Sequence, residues 1–226
     1  MMKKTILVFL ILILGFCLFA ANSVALLSIA KGKVDVSRAA KAIRFKAGDL
    51  LQHNDEIRTG GESFAAYKYV DGSSTVKVFS NSVVKVLANT SGKSLVKQVS
   101  ITKGSVFSQV KPKTGTFMVK TPTTVASVKG TGFLTKITEA KQSMFIVTEG
   151  EIQLKILDDT DPKVVSKGNT AIVEADGRYI IRLSTPEDLS ELERAELEAT
   201  SERGNNILRI PMLDPNGRTR FIEITY

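Results

Sequence analysis

Few residues in this chain could do chemistry, and their surroundings argue against each. His53 is the only histidine and stands beside Asn54 and Asp55 in a turn-like stretch. A catalytic triad or a metal site needs partners that this neighbourhood does not supply. Asp158, Asp159 and Asp161 crowd before Pro162, a spacing that could hold calcium. The calcium-loop pattern, with its central glycine and distant glutamate, is missing, so a solvated loop is expected. Cys17 is the only cysteine and lies in an apolar run. No serine or threonine sits in a nucleophile-elbow context. The residues therefore predict no catalytic group, no metal, no cofactor and no enzyme.

Charge offers a second kind of chemistry. The 226 residues carry a formal net charge of +8. Lys46, Lys97, Lys103, Lys111, Lys113, Lys120 and Lys129 could form a basic face for an anionic wall polymer, and on alternating strands lysines also mark the solvent side. No aromatic residues interleave with them and tryptophan is absent, so base stacking is poorly served and nucleic acid is not an expected partner.

The elements that must carry these residues are mostly strands. Lys33–Ser37, Ala66–Val70, Thr75–Phe79 and Val84–Leu87 alternate apolar and polar side chains. Such a pattern turns one face to a core and the other to water. Asp71-Gly72 and Asp176-Gly177 read as short hairpin turns. Gly32-Lys33-Val34, Gly104-Ser105-Val106 and Gly150-Glu151-Ile152 each read as a corner that opens a strand. The expected fold is all-β: a rolled or solenoid-like domain of many short strands, then one helix and a C-terminal hairpin. Thr121–Phe133 is its most specified stretch, a turn, a strand and a glycine corner. Pro122 suits a strand's first residue or an edge.

The two ends differ from this body. Lys3 and Lys4 precede the apolar run Ile6–Ala21, the layout of a secretory signal peptide, with an uncleaved anchor as the alternative. With Cys17 inside that run, the exported part would hold no cysteine and no disulfide. Near the other end, Pro186–Gly204 holds seven acidic residues and two basic ones. Ser184 or Thr185 can cap a helix there, with Leu189, Leu192 and Leu197 on one side. Ile207–Leu213 and Arg218–Tyr226 flank the turn Asp214-Pro215-Asn216-Gly217 and read as a hairpin. The expected organisation is 1–25 leader or anchor, 26–183 β domain, 184–204 acidic helix and 205–226 hairpin. A hairpin alone is marginal, so it must dock. Ile210, Phe221, Ile222 and Ile224 are its candidate docking residues.

The body resembles the FecR domain family. The resemblance rests on Lys31–Val36, Phe45–Leu51 with Gly48 and Asp49, and Asn54–Gly60 with Asp55, Thr59 and Gly60. It continues through Asp71-Gly72-Ser73, Asn81-Ser82, Lys103–Val106 with Gly104, and Thr121-Pro122. Val128–Phe133 with Gly130, Thr131 and Phe133 follows, and Val165–Val173 closes it. The resemblance implies an extracytoplasmic β domain in which these residues are structural. Members of the family are membrane-spanning regulators, with a cytoplasmic anti-sigma segment and an outer domain that hears an iron-siderophore receptor. Here Met1–Thr5 alone precede the apolar run, too little to grip a sigma factor. The expectation is an exported binding or scaffold protein of the periplasm or cell surface, with an envelope protein as partner. Sensing through a separate membrane protein is a second reading, and binding of a wall polymer or anionic glycan a third.

Overall fold

The computed structural model describes residues 23–91, 94–156, 159, 161–200, 207–213 and 219–225; for residues 91, 194–200, 207–213 and 219–225 it describes the backbone. The leader or anchor expected over 1–25 lies almost wholly outside the described residues. Among the described residues, no helix is long and apolar enough to cross a membrane.

The body is a two-layer roll. Layer one runs β4 (Leu50–Gln52), β1 (Ser23–Lys31), β6 (Phe64–Tyr69), β7 (Ser74–Val78), the end of β9 (Ser94–Val110), β12 (Gly132–Ile137), β13 (Ser143–Glu149), β16 (Asn169–Val173) and β17 (Tyr179–Leu183). All its neighbours are antiparallel. Layer two runs β3 (Lys41–Ile43), β2 (Val34–Arg38), β5 (Asp55–Thr59), β8 (Val83–Ser91), the start of β9, β10 (Phe117–Lys120), β11 (Thr124–Val128), β14 (Glu151–Ile156) and β15 (Lys163–Ser166). The pair β9–β10 is parallel and the others in this layer are antiparallel. The whole is one 17-stranded sheet folded on itself, with β9 belonging to both layers.

The alternating sequence explains the layers. Val36, Tyr67, Tyr69, Val76, Val78, Val84 and Val86 are all buried in one core between them, with Phe117, Phe133 and Phe145. Tyr69 and Phe117 meet edge to face with centroids 6.1 Å apart, a preferred aromatic geometry. Phe64, Ala66, Phe79, Phe107, Leu134 and Ile146 form a second buried cluster, packed by Leu192. The strand registers put this cluster on the outer face of layer one, since neighbouring residues of the same strands fill the first core.

The three glycine corners are equivalent, as their shared pattern suggests. Gly32, Gly104 and Gly150 all take positive φ, at 66°, 81° and 70°, and at each the chain passes from one layer to the other. Gly104 differs from expectation in one respect: it bends β9 without interrupting it, so Ser105 opens no new strand. A Cβ on Gly104 would fall onto the Ser82 side chain, and one on Gly150 would lie 2.5 Å from the Gly130 carbonyl. Positive φ and this close approach leave glycine as the residue that fits.

The turns at Asp71-Gly72 and Asp176-Gly177 join β6 to β7 and β16 to β17 through Val70–Ser73 and Glu174–Arg178. Both are longer than the two-residue hairpins that such dipeptides favour. The helix α1 spans Pro186–Thr200, within the 184–204 expected; residues 201–204 lie outside the described residues. Thr185 caps it: its Oγ1 accepts from the Asp188 N–H at 3.3 Å, and Asp188 Oδ2 accepts from the Thr185 N–H at 2.9 Å. This reciprocal pair is a capping box. Leu192 packs on layer one, but Leu189 is exposed and Asp188 takes the buried position; the side chain of Leu197 lies outside the described residues. Beyond the helix, β18 (Ile207–Leu213) and β19 (Thr219–Thr225) pair antiparallel as a separate two-stranded sheet.

Candidate protein-docking surface

Most of the residues singled out in sequence hold the roll together from inside. Asp55 is fully buried and accepts two bonds from Arg38, at 2.8 Å each, and one from the Gln52 N–H at 2.7 Å. Thr59 donates to the Phe79 carbonyl at 2.5 Å and accepts from the Ser82 N–H at 3.0 Å. Asp49 Oδ2 accepts from the Lys46 N–H, and Gly48, at φ 95°, donates to the Leu27 carbonyl. Gly60 donates to the Lys33 carbonyl.

The stretch Thr121–Phe133 folds as its pattern suggests. Thr121 Oγ1 accepts from the Thr124 N–H and the Ser143 hydroxyl, at 3.0 and 2.8 Å, closing the β10–β11 turn. Pro122 lies in that turn rather than in a strand. Gly130 packs on Pro112, Thr131 donates to the Glu151 carbonyl at 2.8 Å, and Phe133 is fully buried.

One residue reverses its expected role. Lys97 is not on a solvent face: its side chain is fully buried. Its Nζ donates to Asp71 Oδ2 at 2.6 Å, Ser73 Oγ at 2.7 Å and the Thr114 carbonyl at 2.8 Å. The Asp71-Gly72-Ser73 turn thus supplies the counter-ion for a core cation as well as reversing the chain. Burial pushes the Asp71 carboxyl up, but bonds from Lys97 and Ser73 outweigh it and hold the carboxyl below its ordinary range. A lysine next to a serine could suggest a nucleophile and its base. An ammonium with all three N–H bonds donated has no lone pair to take the Ser73 proton, and Ser73 is itself buried. The phase of the alternation carried the signal: Lys97 falls on the side of Val99 and Ile101, both fully buried.

The other candidates are local. His53 Nδ1 lies 2.8 Å from the Ala88 carbonyl and 3.2 Å from its N–H, which ties the turn before β5 to β8. Asp159 pairs with Lys163 at 3.1 Å and accepts from the Asp161 N–H; Asp158 lies outside the described residues. Among the described residues, no group of three or more His, Cys, Asp or Glu side chains converges. An open groove of about 650 Å³ over β2, β5 and β8 is lined by Asp35, Glu56, Arg58 and Lys85, and Glu56 bridges its two cations.

The surface differs from this interior at its strand edges. Edges β3 and β15 are short and carry Lys41 and Lys163, devices that discourage pairing. Edge β17 is the sequence Tyr-Ile-Ile-Arg-Leu with Ile180 61% and Leu183 77% exposed. Its one cation is already engaged: Arg182 donates to both Asp188 oxygens, at 2.5 and 3.2 Å, and to the Leu183 carbonyl at 3.0 Å, and Thr170 donates to the same carboxylate at 2.9 Å. Lys136 pairs with Glu191 at 2.8 Å. These contacts and Leu192 fasten α1 to the outer face of layer one. The apolar run Tyr179-Ile180-Ile181 breaks alternation, which marks the strand as unusual without marking it as an edge. In the hairpin, Ile210 stands opposite Ile222, Pro211 opposite Phe221 and Leu208 opposite Ile224; the side chains of these docking candidates lie outside the described residues.

The family model for the FecR protein matches residues 55–153. This segment is a FecR domain. It spans β5 to β14, including the buried Lys97 and the signature from Thr121 to Phe133. The fold is shared with crystal structures of two proteins described as candidate anti-sigma factors from Parabacteroides distasonis. One is 18% identical with a TM-score of 0.50, over 60% of this chain and 62% of that one. The other is 16% identical with a TM-score of 0.51, over 75% of this chain and 84% of that one. The chain thus spans less than two thirds of the first of these. No curated protein matches it. At these identities the FecR domain shares an architecture with the two structures.

Proposed function

We propose that this protein is a non-enzymatic binding module of a regulatory relay in the bacterial envelope, and that it captures a partner protein through β-strand association. The FecR domain supports the regulatory reading. The layout of Lys3, Lys4 and Ile6–Ala21 supports export to the periplasm or cell surface. The observation that carries the docking mode is the C-terminal hairpin, whose strands pair with each other in a sheet apart from the body. Two strands are too few for independent stability, and a strand donated to a partner's sheet gains main-chain hydrogen bonds.

The test is crosslinking in envelope preparations, with the full chain beside a chain lacking 207–226. The expected result is one protein crosslinked to the full chain and absent from the shortened one, with the body melting unchanged. Capture that survives the deletion, or a body that unfolds with it, overturns the reading.

A second reading, adhesion to an anionic polymer, is favoured by one feature of layer two. Strand register sets Lys85, Ser100, Lys120, Val125 and Lys155 in one row across β8, β9, β10, β11 and β14, and the three lysines are exposed. Changing Lys120 and Lys155 to glutamine should then abolish salt-sensitive retention on purified cell wall. Retention that is unchanged, or indifferent to salt, removes this reading.

A further inference from the structure

The β17 edge of layer one presents hydrogen-bonding groups in a fixed order. In the β16–β17 pair, the Ser184 N–H donates to the Gly168 carbonyl at 2.9 Å and the Glu174 N–H to the Arg178 carbonyl at 2.7 Å. Between these bonded pairs the register sets Thr170 opposite Arg182 and Ile172 opposite Ile180. Residues in an antiparallel ladder alternate between bonding toward one neighbour and toward the other. Ile180 and Arg182 therefore bond toward β16, while Tyr179, Ile181 and Leu183 aim N–H and C=O away from it. Among the described residues, no strand pairs along that side.

We propose that β17 joins two copies of this chain, antiparallel, about a two-fold axis at Ile181. In this register Ile181 faces the partner's Ile181, and Tyr179 faces the partner's Leu183. All three outward-bonding residues then exchange hydrogen bonds, and the two copies of layer one become a continuous sheet. A shift of one residue sets outward-bonding residues against inward-bonding ones, and a shift of two leaves an outward residue unpaired. The side chains fit the same register. Tyr179, 40% exposed, covers Leu183, 77% exposed, and the reverse, as a self-complementary contact requires. Arg182 faces the partner's Ile180, so no like charges oppose. A foreign strand would be selected by charge or by pockets along the edge. The strand's one cation is committed to Asp188 and to the Leu183 carbonyl, whose second lone pair stays open to a partner strand. Lys163, 5.6 Å over the Tyr179 ring, is held by Asp159. With both cations engaged, the edge favours its own sequence.

The contact is independent of the hairpin and is tested by a cysteine scan of β17 in the full chain carrying Cys17→Ser. Residues in a bonded antiparallel pair have Cα atoms about 5.5 Å apart, within disulfide reach. Ile181→Cys should oxidise to a species of twice the 24.6 kDa chain mass, whereas Tyr179→Cys and Ile180→Cys should not. Ile181→Pro removes an N–H that the fold does not use; it should leave melting unchanged and weaken dimerisation about tenfold or more, each tenfold being about 1.4 kcal/mol. Ile181→Lys, which sets two lysines opposite each other on the axis, should weaken it as well and stands in if the proline variant melts early. A parent chain that is monomeric at micromolar concentration overturns the proposal. So does crosslinking at positions 179 and 180 as readily as at 181, or a dimer that both position-181 substitutions leave intact.

Discussion

The core of the roll and its C-terminal strands treat polar groups in opposite ways. Inside, the charges are matched one to one. Asp55 is fully buried beside a partly exposed Arg38, and Lys97 is fully buried beside a partly exposed Asp71. Each ion pair keeps one foot in solvent and closes a turn. At the C-terminal end, β17 leaves a row of backbone groups facing outward, and β18 and β19 bond to each other alone among the described strands. On the reading proposed above, the difference separates two tasks: the interior fixes the shape, and the open strands associate. Substitutions should divide the same way, with core changes costing stability and edge changes costing association.

The largest expected break is Lys97→Met. It strands the Asp71 carboxylate and leaves Ser73 and the Thr114 carbonyl without their donor. Breaking a buried pair costs about 3–5 kcal/mol, and the lower end applies because Asp71 is 29% exposed. Denaturant unfolding measures this. Gly150→Ala comes next, at about 2 kcal/mol, because it puts a side chain at φ 70° against the Gly130 carbonyl. Asp188→Asn should cost about 1–2 kcal/mol, by weakening both the helix cap and the bond to Arg182. Its distinguishing readout is faster amide exchange in α1 than in the strands.

Acid sharpens the comparison. Asp188, like Asp71, is pushed up by burial but held below its ordinary range by its partners, here Arg182, the Thr185 N–H and Thr170. A carboxyl lowered in the folded state adds stability that is full above the unfolded value, about 3.9. That stability is lost as pH falls through the folded value. The melting temperature should therefore drop steadily below about pH 4, and Lys97→Met should flatten part of the drop. The smallest expected effect is a gain. Ala39 and Ala40 both take positive φ, at 49° and 61°, in the β2–β3 turn, where Asn-Gly is favoured. Ala40→Gly should add about 0.5–1 kcal/mol by relieving that strain without changing association.

Much of the body was legible in sequence because alternation and glycine corners are local signals. Val34 and Val36, Tyr67 and Tyr69, and Val76 and Val78 told inside from outside before any partner strand was known. Asp55, Thr59 and Thr131 were legible as structural, but not their bonds to Arg38, Phe79 and Glu151, which join distant segments. Lys97 was misread because residue type outweighed phase: lysine suggests water, yet its place between Leu95 and Val99 put it inward. Asp188 passed as one of seven acidic residues in Pro186–Gly204, because its partners Thr170 and Arg182 come from strands brought beside it by the fold. The bare edge at β17 was the least legible, since being an edge is a property of the sheet and not of five residues.

The central claim is that shape and association reside in separate parts of this chain. Its most direct test sets the deletion of 207–226 beside Lys97→Met, with melting temperature and capture of the envelope partner measured on both. The expected result is a crossing: the deletion keeps the melting temperature and loses the partner, while Lys97→Met lowers the melting temperature and, where still folded, captures the partner as the parent does. A deletion that lowers the melting temperature as far as Lys97→Met, or that captures the partner as well as the full chain, would contradict it.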